Sequence, residues 1–405
     1  SNGVINLGEL AVTGSIALVT HNTGAATVVN ATGIEFAAST VGGALSATAT
    51  NGHITQTGAL DITGVTTIVA GTSHNITLTT ATNDFKNDVL ITSGNDVRLV
   101  DANAIDLGTS IVSGIYIVTA TAGGGITNSG VVRITGASTF TVAGGQSITL
   151  DRDNTFSAAV TFVASGVGGV LLNVEINDSD DFELQTLTVT NDLTVTAGDD
   201  ITDSGTVTVG RNLAATTNAS DGVINLNELA VTGSIALATH NNGDATVVNA
   251  TGIEFAASDV NRNLSATATT GTITQSGALD IEGTTTLVTA AQGATIVLGT
   301  ATNAFTGAVT ITTNDNSAPG PVDGTYAAHV TIDGGTTQLR IAASTIDGDL
   351  TLRSGNASGI IDDGTVTVGR NLAATTNANN GVINLDTLAV TGSIALATHN
   401  NGDAT

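Results

Sequence analysis

Apolar and small polar side chains alternate along most of this chain at period two, the periodicity of a strand that buries one face and exposes the other. Ser15-Ile16-Ala17-Leu18, Asp61-Ile62-Thr63, Asn75-Ile76-Thr77-Leu78 and Thr186-Leu187-Thr188-Val189-Thr190 all read this way, and their Thr and Val favour strands. Each run lasts four to seven residues and stops at Gly, Asn or Asp, as at Thr13-Gly14, Asn22-Thr23-Gly24 and Gly94-Asn95-Asp96. Those residue types supply the left-handed backbone that sharp corners need. No stretch pairs helical spacing with an N-cap and a C-cap. The pattern predicts short strands turning every seven to ten residues, about three to each circuit of the chain.

Repetition decides how such strands assemble. Residues 3–62 return as residues 222–281 with 49 of 60 positions identical, and a third copy starts at Gly381. GTVTVGRNLAATTNA at 205–219 returns at 364–378. The chain therefore reads as units 3–221, 222–380 and a partial 381–405 within one continuous segment, 1–405. The first offset is 219 residues and the second 159, so the longer unit holds sixty more residues between Ile91 and Asp199. A solenoid absorbs such a difference when it amounts to whole rungs, because each rung contacts only its neighbours. A shorter beat, ITQTGALDITG at 54–64, ITNSGVVRITG at 126–136, ITDSGTVTVGR at 201–211 and ITQSGALDIEG at 273–283, marks modules of three or four rungs.

Composition narrows the choice further. Gly is 49 of 405 residues, aromatics are 2%, and Met, Trp and Cys are absent. A chain that fills space with Val, Ile, Leu, Ala and Thr suits a narrow interior of thin repeated layers better than an irregular globular core. Stacked parallel strands also explain the scarcity of proline, since each central strand donates hydrogen bonds. The single proline-marked loop, Ser317 to Asp323 with Pro319 and Pro321, is expected as an extruded corner. The expected fold is an all-β parallel β-helix of about 17 to 20 rungs at about 4.8 Å per rung, hence a rod on the order of 80 to 100 Å. Ile5, Leu7, Ile16, Leu18, Ile62, Ile76 and Leu78 are the expected interior, and matched pairs such as Leu18 with Leu237 should point inward alike.

Asp and Glu number 35 against 9 Lys and Arg, a net charge of -26 with Lys86 the only lysine. A phosphate backbone needs clustered cations, so nucleic acid is not an expected partner. At 41% hydrophobic content the chain is too apolar for a solvated acidic tail. Without cysteine there are neither disulfides nor thiolate metal sites. No apolar run is long enough to span a bilayer. The last copy stops within a repeat, which points to a segment of a longer protein.

GALDITGVTTIVAG, NITLTTATNDF, DANAIDLGTS and ITNSG resemble the repeat regions of filamentous-haemagglutinin-like exoproteins of bacterial surfaces. That resemblance implies a right-handed parallel β-helix serving as the stalk of an extracellular, cell-surface adhesin, with the adhesive region outside this segment. The alternative is a self-associating filament, sheath or matrix subunit, since open strand edges template further pairing.

Candidate chemistry is sparse. Glu175, Asn177, Asp178, Ser179, Asp180, Asp181 and Glu183 form the densest set of oxygen ligands, and a calcium ion would want six to eight of them in a wrapping loop. The run lacks the glycine of an EF-hand loop, so a solvated turn is expected there, with calcium at Asp178, Asp180 and Asp181 left open. Asp203 and Asp362, matched before GTVTVGR, are read the same way. Paired carboxylates on a β-helix can mark a polysaccharide hydrolase. Such an enzyme needs aromatics and cations to grip sugar, and the tyrosines, Tyr116 and Tyr326, fall in different modules. His21, His240 and His399 read as turn residues, and His53, His74 and His329 as isolated. The pairs Thr186/Thr188/Thr190, Thr194/Thr196 and Thr206/Thr208 do not recur at one point of every rung, so a flat ice-binding array is not expected. Phe36, Phe255, Phe85 and Phe305 read as core filler. No catalytic residue, cofactor or metal is expected.

Overall fold

The computed structural model describes residues 2–219, 221–314 and 328–405. The expected corner Ser317 to Asp323 and Tyr326 lie outside them. Among the described residues every element is a strand, and parallel strands stack in about 18 turns of a β-solenoid. The chain divides into two compact units, Ser1–Val195 and Thr196–Thr405.

A rung of the first unit shows the construction. Leu45–Ala49, Ile54–Gln56 and Leu60–Ile62 form its three sides, with the corners at Thr50–His53 and Thr57–Ala59. Its counterpart in the second unit is Leu264–Ala268, Ile273–Gln275 and Leu279–Ile281. Strands pair with the rung before and after in parallel register: Ile5 with Ala26, Ala26 with Leu45, Leu45 with Thr66 and Thr66 with Val89. These steps advance 21, 19, 21 and 23 residues, each one circuit of three short strands and their corners. The only antiparallel contact among the described residues is an isolated bridge between Ala304 and Gly335. Gly335 has φ +55 there, and a Cβ would stand 2.1 Å from the Asn303 carbonyl oxygen, so only glycine fits.

Period two becomes inside and outside. In Ala26–Asn30, Leu45–Ala49 and Val97–Asp101 every second residue is buried and those between are half-exposed. Like side chains stack in inward columns, as in Ile105, Ile126, Ile148 and Val174. Leu18 and Leu237 are both buried, as are Phe36, Phe255, Phe85 and Phe305. Ile16, Ile62, Ile76 and Leu78 are buried too, but Ile5 and Leu7 are only half-buried. They belong to the first rung and have a neighbouring rung on one side, whereas their counterparts Ile224 and Leu226 lie between two rungs and are buried. Burial here comes from the stacked neighbour, not from the strand.

Residues 91–195, which include most of the extra length of the longer repeat, continue as rungs, with Val97, Tyr116, Ser138 and Val160 in successive register. Their interior holds the one aromatic cluster among the described residues. Phe140 meets Tyr116 edge-on at 6.0 Å and Phe156 at 5.9 Å, and stacks on Phe162 at 6.2 Å. Within the second unit the register runs from Ser234 through Glu254, Thr274, Val297, Thr331, Thr351 and Ala373 to Ala395. Two copies of the repeat thus set their strands on one face, with two residues of drift along it.

Candidate functional site

The polar chemistry of this chain is concentrated at the corners. A parallel strand that ends in a corner leaves backbone N–H groups without a ladder partner, and a buried orphan is costly. Buried amides and carboxylates from the following rung take them up. The N–H of Val12 donates to Asn30 Oδ1 at 2.9 Å, that of Leu60 to Asn83 Oδ1 at 3.0 Å, and that of Val132 to Asn154 Oδ1 at 2.9 Å. In the second unit Val231 donates to Asn249 Oδ1 at 2.8 Å and Leu279 to Asn303 Oδ1 at 3.0 Å. Phe85 and Phe156 donate in the same way to the carboxylates of Asp101 and Asp178. All seven acceptors are buried.

Asn83 is the most fully engaged. Its Oδ1 also accepts from Gln56 Nε2, while its Nδ2 donates to Gln56 Oε1, to the Leu78 carbonyl and to the Val100 carbonyl of the next rung. Asn303 repeats the arrangement with Gln275, Leu298 and Asp333. One amide therefore joins three rungs.

Other corners use hydroxyls. Ser39, Ser110, Ser258 and Ser344 accept from Leu18, Ile91, Leu237 and Ile311 of the preceding rung, and each donates to the carbonyl two residues before it. Asp203 and Asp362 are not idle solvated residues. Asp203 accepts from the N–H groups of Asn227 and Glu228, and Asp362 from those of Asp386 and Thr387, so both hold the first strand of a repeat copy to the rung before it.

The acidic run is likewise not a simple solvated turn. Strand alternation disperses it: Glu175, Asp180, Asp181 and Glu183 face solvent, while Asp178 continues the inward set Val174, Ile176 and is 1% exposed. Among the described residues no three His, Asp or Glu side chains gather in a way that could hold a metal ion. Asp178 Oδ1 accepts from Phe156 and Asp180, and its buried Oδ2 has no partner. Asn154, one rung before, fills the corresponding place with Nδ2 donating to Leu150 and Asn177. Asp178 can imitate that amide only when Oδ2 carries a proton.

Burial, opposed by backbone N–H donors and helped by the nearby charge of Asp180, pushes the Asp178 carboxyl up to about 6 from an ordinary 3.8. The folded chain then binds a proton that the unfolded chain releases between those values, so this residue's contribution to stability falls as pH rises from about 4 to 6 and stays low above. The loss is roughly 3 kcal/mol by linkage. Asp178→Asn should remove that slope and raise stability at pH 7, which urea unfolding followed at pH 4.5, 6 and 7.5 will measure. An unchanged slope in the variant would place the dependence elsewhere. Burial also raises the Asp101 carboxyl, although both of its oxygens are engaged, by Phe85 and Asn103.

Surface charges pair across rungs. Lys86 bridges Asp61 and Asp84, register neighbours on successive strands, and the Asp61 hydrogen bond holds its amine above the usual lysine value. His53 and His74 are not isolated: one circuit apart, their rings meet edge-on at 5.5 Å. The His53 Nδ1 accepts from the N–H of Asn75. His329 lies 3.2 Å from Asp349. His21, His240 and His399 sit in turns, each with its carbonyl accepting from the glycine three residues on and each followed by a left-handed asparagine, Asn22, Asn241 or Asn400. An open groove beside Thr32–Glu35 recurs beside Thr251–Glu254, each with a single carboxylate, and another is lined by Asp84, Lys86, Asn103 and Asp106.

Residues 23–92, 94–163, 172–238 and 242–312 match the repeats of unknown function DUF5649. The chain belongs to that family. No curated protein and no solved structure matches it. Each DUF5649 match covers about three rungs, and the corner residues Asn30, Asn83, Asn154, Asp178, Asn249 and Asn303 all fall within matched stretches. Apart from Asp178, which stands in the acidic run, these buried corner groups were missed by composition and motif. A signal for several exists in the DUF5649 repeat: Asn30, Asp101, Asp178 and Asn249 stand at the inward parity of an alternating run, where an apolar residue is due.

Proposed function

We propose that this chain is a structural segment, the stalk of a secreted cell-surface protein of the filamentous-haemagglutinin-like kind, with no catalytic role and with its adhesive region outside these residues. The observation that carries the reading is the use made of the buried polar groups. Asn83, Asn154, Asn303 and their equivalents turn toward backbone of the adjoining rungs and hold rung to rung. An active site instead leaves polar groups convergent on a space a substrate can enter.

Dispersed carboxylates and a net charge of -26 support a solvated exterior that repels nucleic acid. Among the described residues no helix is long and apolar enough to cross a membrane. The resemblance of the repeat strings adds the surface setting. Immunogold electron microscopy of intact producing cells, with antibody raised against residues 242–312, should label the cell exterior. Label that appears only after permeabilisation would overturn the assignment.

A further inference from the structure

Charge is distributed unequally over the three sides of the rungs. In the second unit, Ala245–Asn249, Leu264–Ala268, Thr285–Gln292 and Val309–Asn314 pair in parallel register to form one side. Its outward columns are Thr246, Ser265, Thr286, Thr310 and Val248, Thr267, Val288, Thr312, without a charged residue. The other two sides of the same rungs carry Glu254, and Asp259 beside Asp280. The first unit repeats the asymmetry. Thr27, Ser46, Thr67 and Val29, Thr48, Val69 form an uncharged side that continues to the half-buried Leu90, while Glu35, Asp61 and Asp84 lie on the others.

As at Thr55 and Thr77 on another side, the outward hydroxyls of this side are open. The hydroxyls of Thr27, Ser46, Thr48 and Thr67, and of Thr246, Ser265, Thr267 and Thr286, have no hydrogen-bond partner in the chain, whereas corner threonines such as Thr20, Thr239 and Thr251 are engaged. Outward donors and acceptors, β-branched surfaces and no charge are thus combined on a regular sheet face.

We propose that this uncharged face is a lateral contact between copies of the chain, packed sheet to sheet. The choice of a second copy follows from charge. Two chains of net charge -26 repel wherever carboxylates meet, and burying an unpaired carboxylate between sheets is prohibitive. This side alone of the three can approach its own kind without doing so, and facing sheets spaced about 10 Å apart interdigitate alternate side chains of the type present here. Threonines on the two faces supply each other's missing partners. Within each unit the face runs over several rungs, so successive rungs add equivalent contacts, and modest single contacts become durable through multivalency. The proposal does not depend on the stalk assignment or on export.

Sedimentation velocity of the 405-residue chain tests it, comparing wild type with two doubly substituted chains of equal added charge. Thr48→Asp with Thr267→Asp alters the uncharged face in both units, and Thr55→Asp with Thr274→Asp alters the side that carries Glu35 and Glu254. Far-ultraviolet circular dichroism verifies that all three fold. Wild type should associate more as salt rises from 0.05 to 0.5 M, concentrations on the order of those that shrink the screening length from above 10 Å to below it. The Thr48/Thr267 variant should lose at least about tenfold in association, as a buried unpaired charge requires, and the Thr55/Thr274 variant should match wild type. A monomeric wild type at every salt concentration overturns the proposal. So does an oligomer indifferent to the Thr48/Thr267 substitutions, or equal weakening by both pairs, which would reduce the effect to net charge.

Discussion

Asn83→Ala should destabilise its surroundings by about 3 to 5 kcal/mol, a large effect for a substitution that removes no apolar core. The loss leaves the buried Leu60 N–H without an acceptor and strips the Gln56 side chain and the carbonyls of Leu78 and Val100 of their partner. Each buried orphan costs about 1–3 kcal/mol. In a solenoid the damage stays with neighbouring rungs. Hydrogen exchange read by mass spectrometry should therefore accelerate by about a hundredfold or more, at 1.4 kcal/mol per decade, in peptides covering residues 54–62, 76–85 and 97–101. Peptides near Asn154 should exchange as in wild type. Asn303→Ala should do the same to residues 273–281 in the second unit, because its bonds repeat those of Asn83. Uniform acceleration across either unit would refute the nearest-neighbour picture.

Phe140→Ala should cost a similar 3–5 kcal/mol by another route, the cavity left when a large buried side chain is truncated. Phe140 is the hub of the aromatic cluster, touching Tyr116, Phe156 and Phe162 on successive rungs. Each layer holds only a few inward side chains, and fixed rung spacing prevents the stack from closing over a lost ring. Phe140→Leu, which restores most of the volume, should recover the greater part of the loss. Urea unfolding monitored by tyrosine fluorescence in a Tyr326→Phe background, where Tyr116 alone reports, checks both; near-equal midpoints for the alanine variant and its parent would show that the rungs collapse after all.

These two positions differ in how visible they are before the structure is known. Phe140 stands at the inward parity of Ser138–Ala143, so period two alone places it inside. Asn83 follows no alternating run: it sits at a corner before Asp84–Phe85, where asparagine reads as an ordinary turn former. Its burial depends on Gln56, 27 residues away, arriving beside it. Asp203 and Asp362 looked like exposed turn acids for the same reason, since the N–H groups that they hold belong to the next circuit.

What the sequence determined by itself was the strand periodicity, the corners, the repeat and hence the parallel solenoid, because those depend on local preferences and on a side-chain period of two. Inward residues such as Leu18, Phe36 and Ile76 were settled at that level. The tertiary structure decided which residue stands one circuit away from which. That circuit varies with each corner, so a local pattern cannot fix it, yet it determines that His53 meets His74, that Lys86 spans Asp61 and Asp84, and that Ile5 stays half-exposed while Ile224 does not. It also decided that Asp178 is buried with one oxygen unpartnered, and that the uncharged residues of successive rungs align into a single face. Stacking of the rungs is the common cause.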